Sequence, residues 1–203
     1  MRIWLIRHGK TFGNTEKRYI GTTDEPLLPE EIPALEALRT KLPEKPDLLI
    51  SSPLLRCRQT AEALYPGRES VSVPDLRECD FGSFEKKNYK ELSGDPAYQA
   101  WIDSGGLAPF PGGESVEEFE ERCCRGFRAV LGEGERLRAG TIVFCVHGGT
   151  IMSILHRCAE EKRAYHDWLT ENGEGFCAEL LTDASAPVLR IIERIRRGNT
   201  NGS

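Results

Sequence analysis

Two histidines in this 203-residue chain stand where apolar runs end. His8 follows "RIWLI" and Arg7, and His147 follows "TIVFCV"; glycine comes next in both places, as Gly9 and as Gly148-Gly149. Arg56 lies in "SSPLLR" and Glu78 in "LRECDFG". Neutral imidazole is a nucleophile that can carry a phosphoryl group. Arginine forks bind phosphate oxygens in fixed geometry. Glycine beside each histidine lets backbone N–H groups approach an anion. A carboxyl near a phosphate keeps its proton longer because like charge raises its pKa, which suits Glu78 as a general acid. Together these residues suit phosphoryl transfer through a histidine, with arginines on the transferring group.

Such residues act only if the fold brings them to one place. "RIWLI" (2–6), "DLLISS" (47–52), "VSV" (71–73) and "TIVFCV" (141–146) read as buried strands. "PEEIPALEALRTKL" (29–42), "PLLRCRQTAEALY" (53–65), "ESVEEFEERCCRGFRAVL" (114–131) and "HGGTIMSILHRC" (147–158) read as helices, the third with Ser115 as its cap. "FCAELLT" (176–182) and "PVLRIIERI" (187–195) read as two further strands. This alternation predicts an α/β three-layer sandwich with a mostly parallel sheet between helices. Ligands bind beyond the carboxyl ends of such strands, which is where Arg7-His8 and His147 fall.

Residues 79–114 differ in character, with glycines, prolines, aromatics and lysines crowded together. They read as a small helical insertion over the site, with short helices at 86–92 and 95–103. Phe81, Phe84, Tyr89, Tyr98, Trp101 and Phe110 need cover there. Trp101 and Phe110 either form the insertion's core or stack on a ring. Lys86, Lys87 and Lys90 read as a solvated helix face, the alternative being contact with the substrate. A single domain over 1–203 is expected, with a frayed tail from about 196.

Net charge is −5 with a pI near 5.5, which argues against nucleic acid or an anionic membrane surface as partner. No run approaches the ~20 apolar residues of a membrane span. "MRIWLI" lacks a following cleavage signal. Seven cysteines, an odd number with no C-x-x-C, argue for a reduced, cytoplasmic protein without a zinc site. Most of them read as small buried apolar residues. A cysteine-phosphatase loop needs an arginine six residues after its cysteine, but Cys57 leads to Ala63 and Cys145 to Ile151. No Walker-type loop is present. His156 and His166 belong to no motif and read as structural or exposed.

The whole pattern resembles the histidine phosphatase superfamily, the phosphoglycerate mutase-like proteins, over residues 2 to about 182. "LIRHGKTFGN" is similar to the family's arginine-histidine-glycine box with its downstream asparagine, here Asn14. "RYIGTTDEPL", "SSPLLRCRQTAE", "LRECDFGSFE", "PFPGGES" and "VFCVHGGT" resemble the segments that follow. The resemblance implies His8 as phosphorylated nucleophile and Glu78 as proton donor. It implies Arg7, Arg56, His147 and Asn14 as phosphate ligands, with Gly21, Thr22 and Gly148 lining the pocket. It implies no metal and no cofactor. Where the family usually carries a glycine between "PL" and the helix that follows, this chain has "LPEEIP".

Three activities follow from the resemblance. The first is hydrolysis of a small phosphomonoester, with "DPAYQAWIDSGGLAPFPGGES" pointing to the α-ribazole phosphatase-like group. The second is a cofactor-dependent mutase, against which the compact insertion argues. The third is a non-catalytic phosphate-binding module, against which the full catalytic set argues. His147 is expected to help most when protonated, so that activity falls as pH rises past its pKa.

Overall fold

Strand β1 (Arg2–Arg7) is buried along nearly its whole length, and its side chains alternate between two apolar clusters. Ile3 and Leu5 enter one cluster, and Trp4 and Ile6 the other. A strand wetted on neither face must lie inside a sheet covered on both sides. The computed structural model describes residues 1–198. Strands β2 (Leu48–Ser51), β3 (Val71–Ser72), β4 (Thr141–Val146), β5 (Gly175–Leu180) and β6 (Leu189–Ile195) complete one sheet in the order β3-β2-β4-β1-β5-β6. Pairing is parallel from β3 through β1, while β5 runs antiparallel to both β1 and β6.

The helices are α1 (Phe12–Thr15), α2 (Glu31–Leu38), α3 (Leu55–Leu64), α4 (Pro96–Asp103), α5 (Val116–Arg136) and α6 (Gly148–Cys158). Leu35 and Leu38 of α2 and Ala61 and Leu64 of α3 cover one face of the sheet. Phe119, Cys123 and Phe127 of α5 and Ile151, Ile154 and Leu155 of α6 cover the other. Ser115 caps α5 as expected: its Oγ accepts the Glu118 N–H while Glu118 returns a bond to the Ser115 N–H at 2.9 Å. The α/β sandwich with a mostly parallel sheet is the fold expected.

Several expectations change. Residues 86–92 form turns rather than a helix. Asn88 Oδ1 accepts the N–H groups of Lys90 and Glu91, which gives the backbone a competing partner, and Lys86 sits at φ +64°. Lys86, Lys87 and Lys90 are therefore exposed on a turn, not on a helix face. Tyr89 is exposed as well, whereas Phe81, Phe84, Tyr98, Trp101 and Phe110 gather round Tyr19 as expected of an insertion core. The helix expected over 29–42 is shorter, Glu31–Leu38, because the chain passes into a 3-10 turn at Arg39–Lys41. Helix α5 runs beyond 131 to Arg136, through two glycines.

The tail is anchored where fraying was expected to begin. Arg197 pairs with Glu31, and Lys41 Nζ donates to the Arg196 carbonyl at 2.6 Å. The rest of that expectation, 199–203, lies outside the described residues. All seven cysteines are buried and free.

Candidate active site

β1 and β4 are adjacent and parallel, with Arg7 paired to Val146 in register. The next residue on each strand is a histidine. The rings of His8 and His147 therefore meet at the carboxyl edge of the sheet, with centroids 5.2 Å apart and edge to face. The two histidines, 139 positions apart in the chain, are brought together by that register alone. Both are buried.

His8 is held on three sides. Its N–H donates to the Val146 carbonyl at 2.9 Å, and its own carbonyl accepts from Gly173 N and from Asn172 Nδ2. Ring Nδ1 lies 2.6 Å from the Gly9 carbonyl, which can only accept, so Nδ1 carries the proton and Nε2 keeps a lone pair. Gly9 N–H in turn donates to Thr60 Oγ1 at 3.1 Å. His147 is seated by Ser52 Oγ at 2.7 Å from Nε2 and by Cys57 Sγ at 3.4 Å. Burial and the two nearby arginines push both imidazoles well below their ordinary pKa, so both are neutral. In the free site His147 is thus neutral, because a buried ring beside two guanidinium groups sheds its proton; the protonated form expected of it requires the charge of an arriving anion.

Arg56 is fully buried although it sits on a helix. Its Nη atoms donate to the carbonyls of Thr23 at 2.7 Å, Gly21 at 2.9 Å and Ile20 at 3.3 Å. Arg7 Nη1 donates to the Thr170 carbonyl at 2.5 Å. In both arginines Nε is buried without a hydrogen-bond partner. A buried, unpaired donor costs free energy, and two of them on cations beside two imidazoles mark an anion site.

Glu78 is buried, and burial raises its pKa against the opposing pull of nearby donors and arginines. Its Oε1 accepts Cys79 N–H at 3.0 Å and its Oε2 accepts Gly149 N–H at 3.3 Å. A Cβ on Gly149 would lie 2.4 Å from Oε1, so the carboxyl can approach only because that residue is glycine. With Glu78 biased toward its neutral form, the pocket carries the two arginine charges inside a chain that is negative overall.

The remaining expected residues fall close by. Gly148 opens α6, and Arg7 Nε lies 3.2 Å from where a Cβ on it would be. Gly21 is pressed against the Glu78 loop, since a Cβ there would lie 1.9 Å from the Cys79 carbonyl oxygen. Its contribution is to bring its carbonyl to Arg56. Thr22 is exposed, and no hydrogen bond ties its side chain to the site. Asn14 spends its Oδ1 on Thr11 N–H and Asn172 Nδ2, each at 3.1 Å, and keeps its own Nδ2 as a donor.

Several supporting residues escaped the sequence reading. The Glu114–Arg122 pair braces the Glu78 loop, with Arg122 reaching the carbonyls of Asp75, Arg77 and Glu78. Asn172 bridges His8 and Asn14, and Ser52 seats His147. Only Ser52, in the tight "SSP" exit of a strand, carried a local signal. Glu31 stands at the entry of α2, within the "LPEEIP" stretch, and its carboxylate accepts Lys10 N–H at 2.8 Å while pairing with Arg197.

Beside the anion site lies a cleft of about 670 Å³. Arg7, Glu78 and Gly149 line one end, and Trp101, Phe110 and Phe119 line its apolar walls. Trp101 and Phe110 thus pack in the insertion core and face the cleft as well. His156 and His166, read as structural or exposed, both line it. Lys86, Lys87 and Lys90 do not. Cys79 lines it too, but burial pushes its thiol pKa up, against a reactive thiolate. Among the described residues no His/Cys/Asp/Glu group could hold a metal ion, and no helix is long and apolar enough to cross a membrane.

The family model of the histidine phosphatase superfamily (branch 1) matches residues 3–195. The chain belongs to that superfamily. The adenosylcobalamin/alpha-ribazole phosphatase of Salmonella typhimurium is 34% identical over 127 residues, 60% of this chain and 63% of that one. The alignment therefore spans less than two thirds of that relative's length. Among solved structures, the alpha-ribazole phosphatase of Shigella flexneri superposes with a TM-score of 0.80 at 26% identity, covering 99% of this chain and all of that one. A phosphoglycerate mutase of Thermus thermophilus superposes with a TM-score of 0.72 at 31% identity, over 98% of this chain and 100% of that one. This superfamily member thus has phosphatase-named and mutase-named relatives.

Proposed function

We propose that the chain is a metal-independent phosphomonoester hydrolase that works through a phosphohistidine at His8. The observation that carries this is the meeting of the His8 ring, its Nε2 lone pair free, with two arginines whose buried Nε atoms lack partners. His8 Nε2 attacks phosphorus in line. The bond to the leaving oxygen breaks, and Glu78 gives that oxygen its proton. Water then attacks phosphorus, Glu78 takes a water proton, and the P–N bond breaks to return neutral His8. Arg7 and Arg56 stabilise charge on the phosphoryl oxygens throughout. His147, neutral in the free site, supplies hydrogen bonding and gains a proton only as a dianion enters.

The substrate we propose is a small phosphorylated metabolite with a partly apolar leaving group, α-ribazole 5′-phosphate being the first to try. A cleft of about 670 Å³ exceeds what a three-carbon phosphoacid fills, which favours hydrolysis of a larger ester over a phosphoglycerate mutase. Wild-type protein should hydrolyse p-nitrophenyl phosphate, and His8→Ala should not. Brief exposure to ³²P-labelled substrate followed by alkaline denaturation should leave base-stable, acid-labile label on the wild type alone. Turnover without such label would sink the covalent step. Interconversion of phosphoglycerates that depends on 2,3-bisphosphoglycerate would favour the mutase.

A further inference from the structure

Helix α6 forms one wall of the cleft and measures its length. Gly148 and Gly149 begin it at the anion site, Met152 lies one turn on, and His156 follows after a second turn. At 1.5 Å per residue, the seven residues from Gly149 to His156 span about 10 Å. His156 Nδ1 lies 2.6 Å from Glu120 Oε1, and a carboxylate only accepts, so that nitrogen is the donor. The Tyr165 ring meets the imidazole edge to face at 5.6 Å. The ring is therefore fixed, with Nε2 as its remaining polar atom, on a side chain that lines the cleft and is 39% exposed.

Glu120 itself is buried and also binds Arg157 Nε at 2.8 Å. Arg157 alone balances the Glu120 charge, so the second partner is not required for neutrality. What the Glu120 bond does for His156 is set its tautomer and its orientation, as a carboxylate does for an imidazole that must present its other nitrogen.

We infer that His156, positioned by Glu120, is a specificity-determining residue that hydrogen-bonds the distal end of the leaving group. With Nδ1 donating to Glu120, Nε2 accepts, so the group it takes is a donor, a hydroxyl or a ring N–H, carried about 10 Å along α6 from the phosphate end. This rests on the phosphatase reading for the word leaving group. The geometry selects esters whose alcohol passes the apolar side chains of Met152 and Phe119 that line the cleft and ends in a hydrogen-bond donor.

The test compares short esters (phenyl phosphate and glycerol 3-phosphate) with long ones (a panel of ribonucleoside 5′-phosphates). Wild type should favour the best long ester. His156→Ala should raise KM for it about tenfold, the size of one hydrogen bond, with kcat little changed and the short esters unaffected. His156→Gln should recover part of the loss, and Glu120→Gln should raise KM for the long ester alone. Equal losses on long and short esters, an unchanged ratio, or a wild type indifferent to length would each overturn the inference. Hydrolysis of no ester at all would instead sink the phosphatase reading. In that event calorimetric titration of the corresponding nucleosides decides separately: binding weakened by His156→Ala supports the inference, and binding equal in both proteins, or absent from both, overturns it.

Discussion

The Glu78 carboxyl group lies directly on the backbone of Gly149: one oxygen accepts the Gly149 N–H at 3.3 Å, and the other sits 2.4 Å from where a Cβ would be. An acid 71 positions earlier in the chain is thus aimed by the first turn of α6, the same turn that follows His147. The proposed proton donor and the candidate anion pocket share one backbone reference.

That contact predicts the effect of a single methyl group. Gly149→Ala should displace Glu78 and press on the Phe119 ring, whose nearest carbon lies 2.9 Å from the added atom. Activity should fall on the order of 10²-fold, with about 1–3 kcal/mol of stability lost to overpacking. Steady-state kinetics and urea denaturation of the same preparation check both.

Leaving-group chemistry isolates Glu78. Glu78→Gln should slow hydrolysis of an alkyl phosphate by roughly 10²–10⁴-fold. Phosphorylation of His8 by p-nitrophenyl phosphate should suffer much less, because that phenolate departs without a proton. Burst kinetics on the two esters measure this. Equal losses on both would remove the acid role from Glu78.

Arg56 joins stability to binding. Its guanidinium serves carbonyls of Ile20, Gly21 and Thr23, three closely spaced anchors that a lysine ammonium cannot all reach from the same helix position. Arg56→Lys should lower stability by about 1–3 kcal/mol through the carbonyls left unpaired. It should also weaken inhibition by inorganic phosphate. Thermal denaturation and phosphate titration report the two effects independently.

Acid should loosen the fold through the paired histidines. His8 and His147 have lowered pKa values in the folded protein, so below the ordinary value the unfolded chain takes up protons that the folded one refuses. Stability is full above about pH 6.5 and is lost as pH falls below it, at up to about 1.4 kcal/mol per pH unit for each ring. Glu78, with its pKa raised, acts in the opposite sense: its contribution is present at low pH and is lost as pH rises through its folded value. Two rings against one carboxyl leave a net loss on acidification. Urea midpoints at pH 7.5 and 5.5 should show it, and His147→Gln should flatten the slope.

Activity should follow the same groups. Hydrolysis should decline on the alkaline side as Glu78 gives up its proton, and on the acid side as His8 gains one. A pH–rate profile of wild type beside Glu78→Gln should show the alkaline limb vanish in the variant.

The order of elements along the chain is written in local residue pattern: apolar runs of strand length, each followed by a polar exit, with helices of the right period between them. From that, Arg7, His8, Arg56, Glu78 and His147 could be placed at one sheet edge, because side-chain chemistry at strand ends is local and the parallel sheet collects those ends. The α5 cap at Ser115 was legible for the same reason, since a capping box is written in four adjacent residues. The turn at 86–92 was not, because Asn88 competes for N–H groups that a helix would have used. Nor were Asn172, the Glu114–Arg122 brace or His156 and Glu120 on the cleft wall. Their partners lie on other elements, so nothing in their own neighbourhoods marks them. Tertiary structure also decided the protonation of His147. Whether a histidine is charged depends on how much water it keeps and which cations lie beside it, and both are consequences of packing.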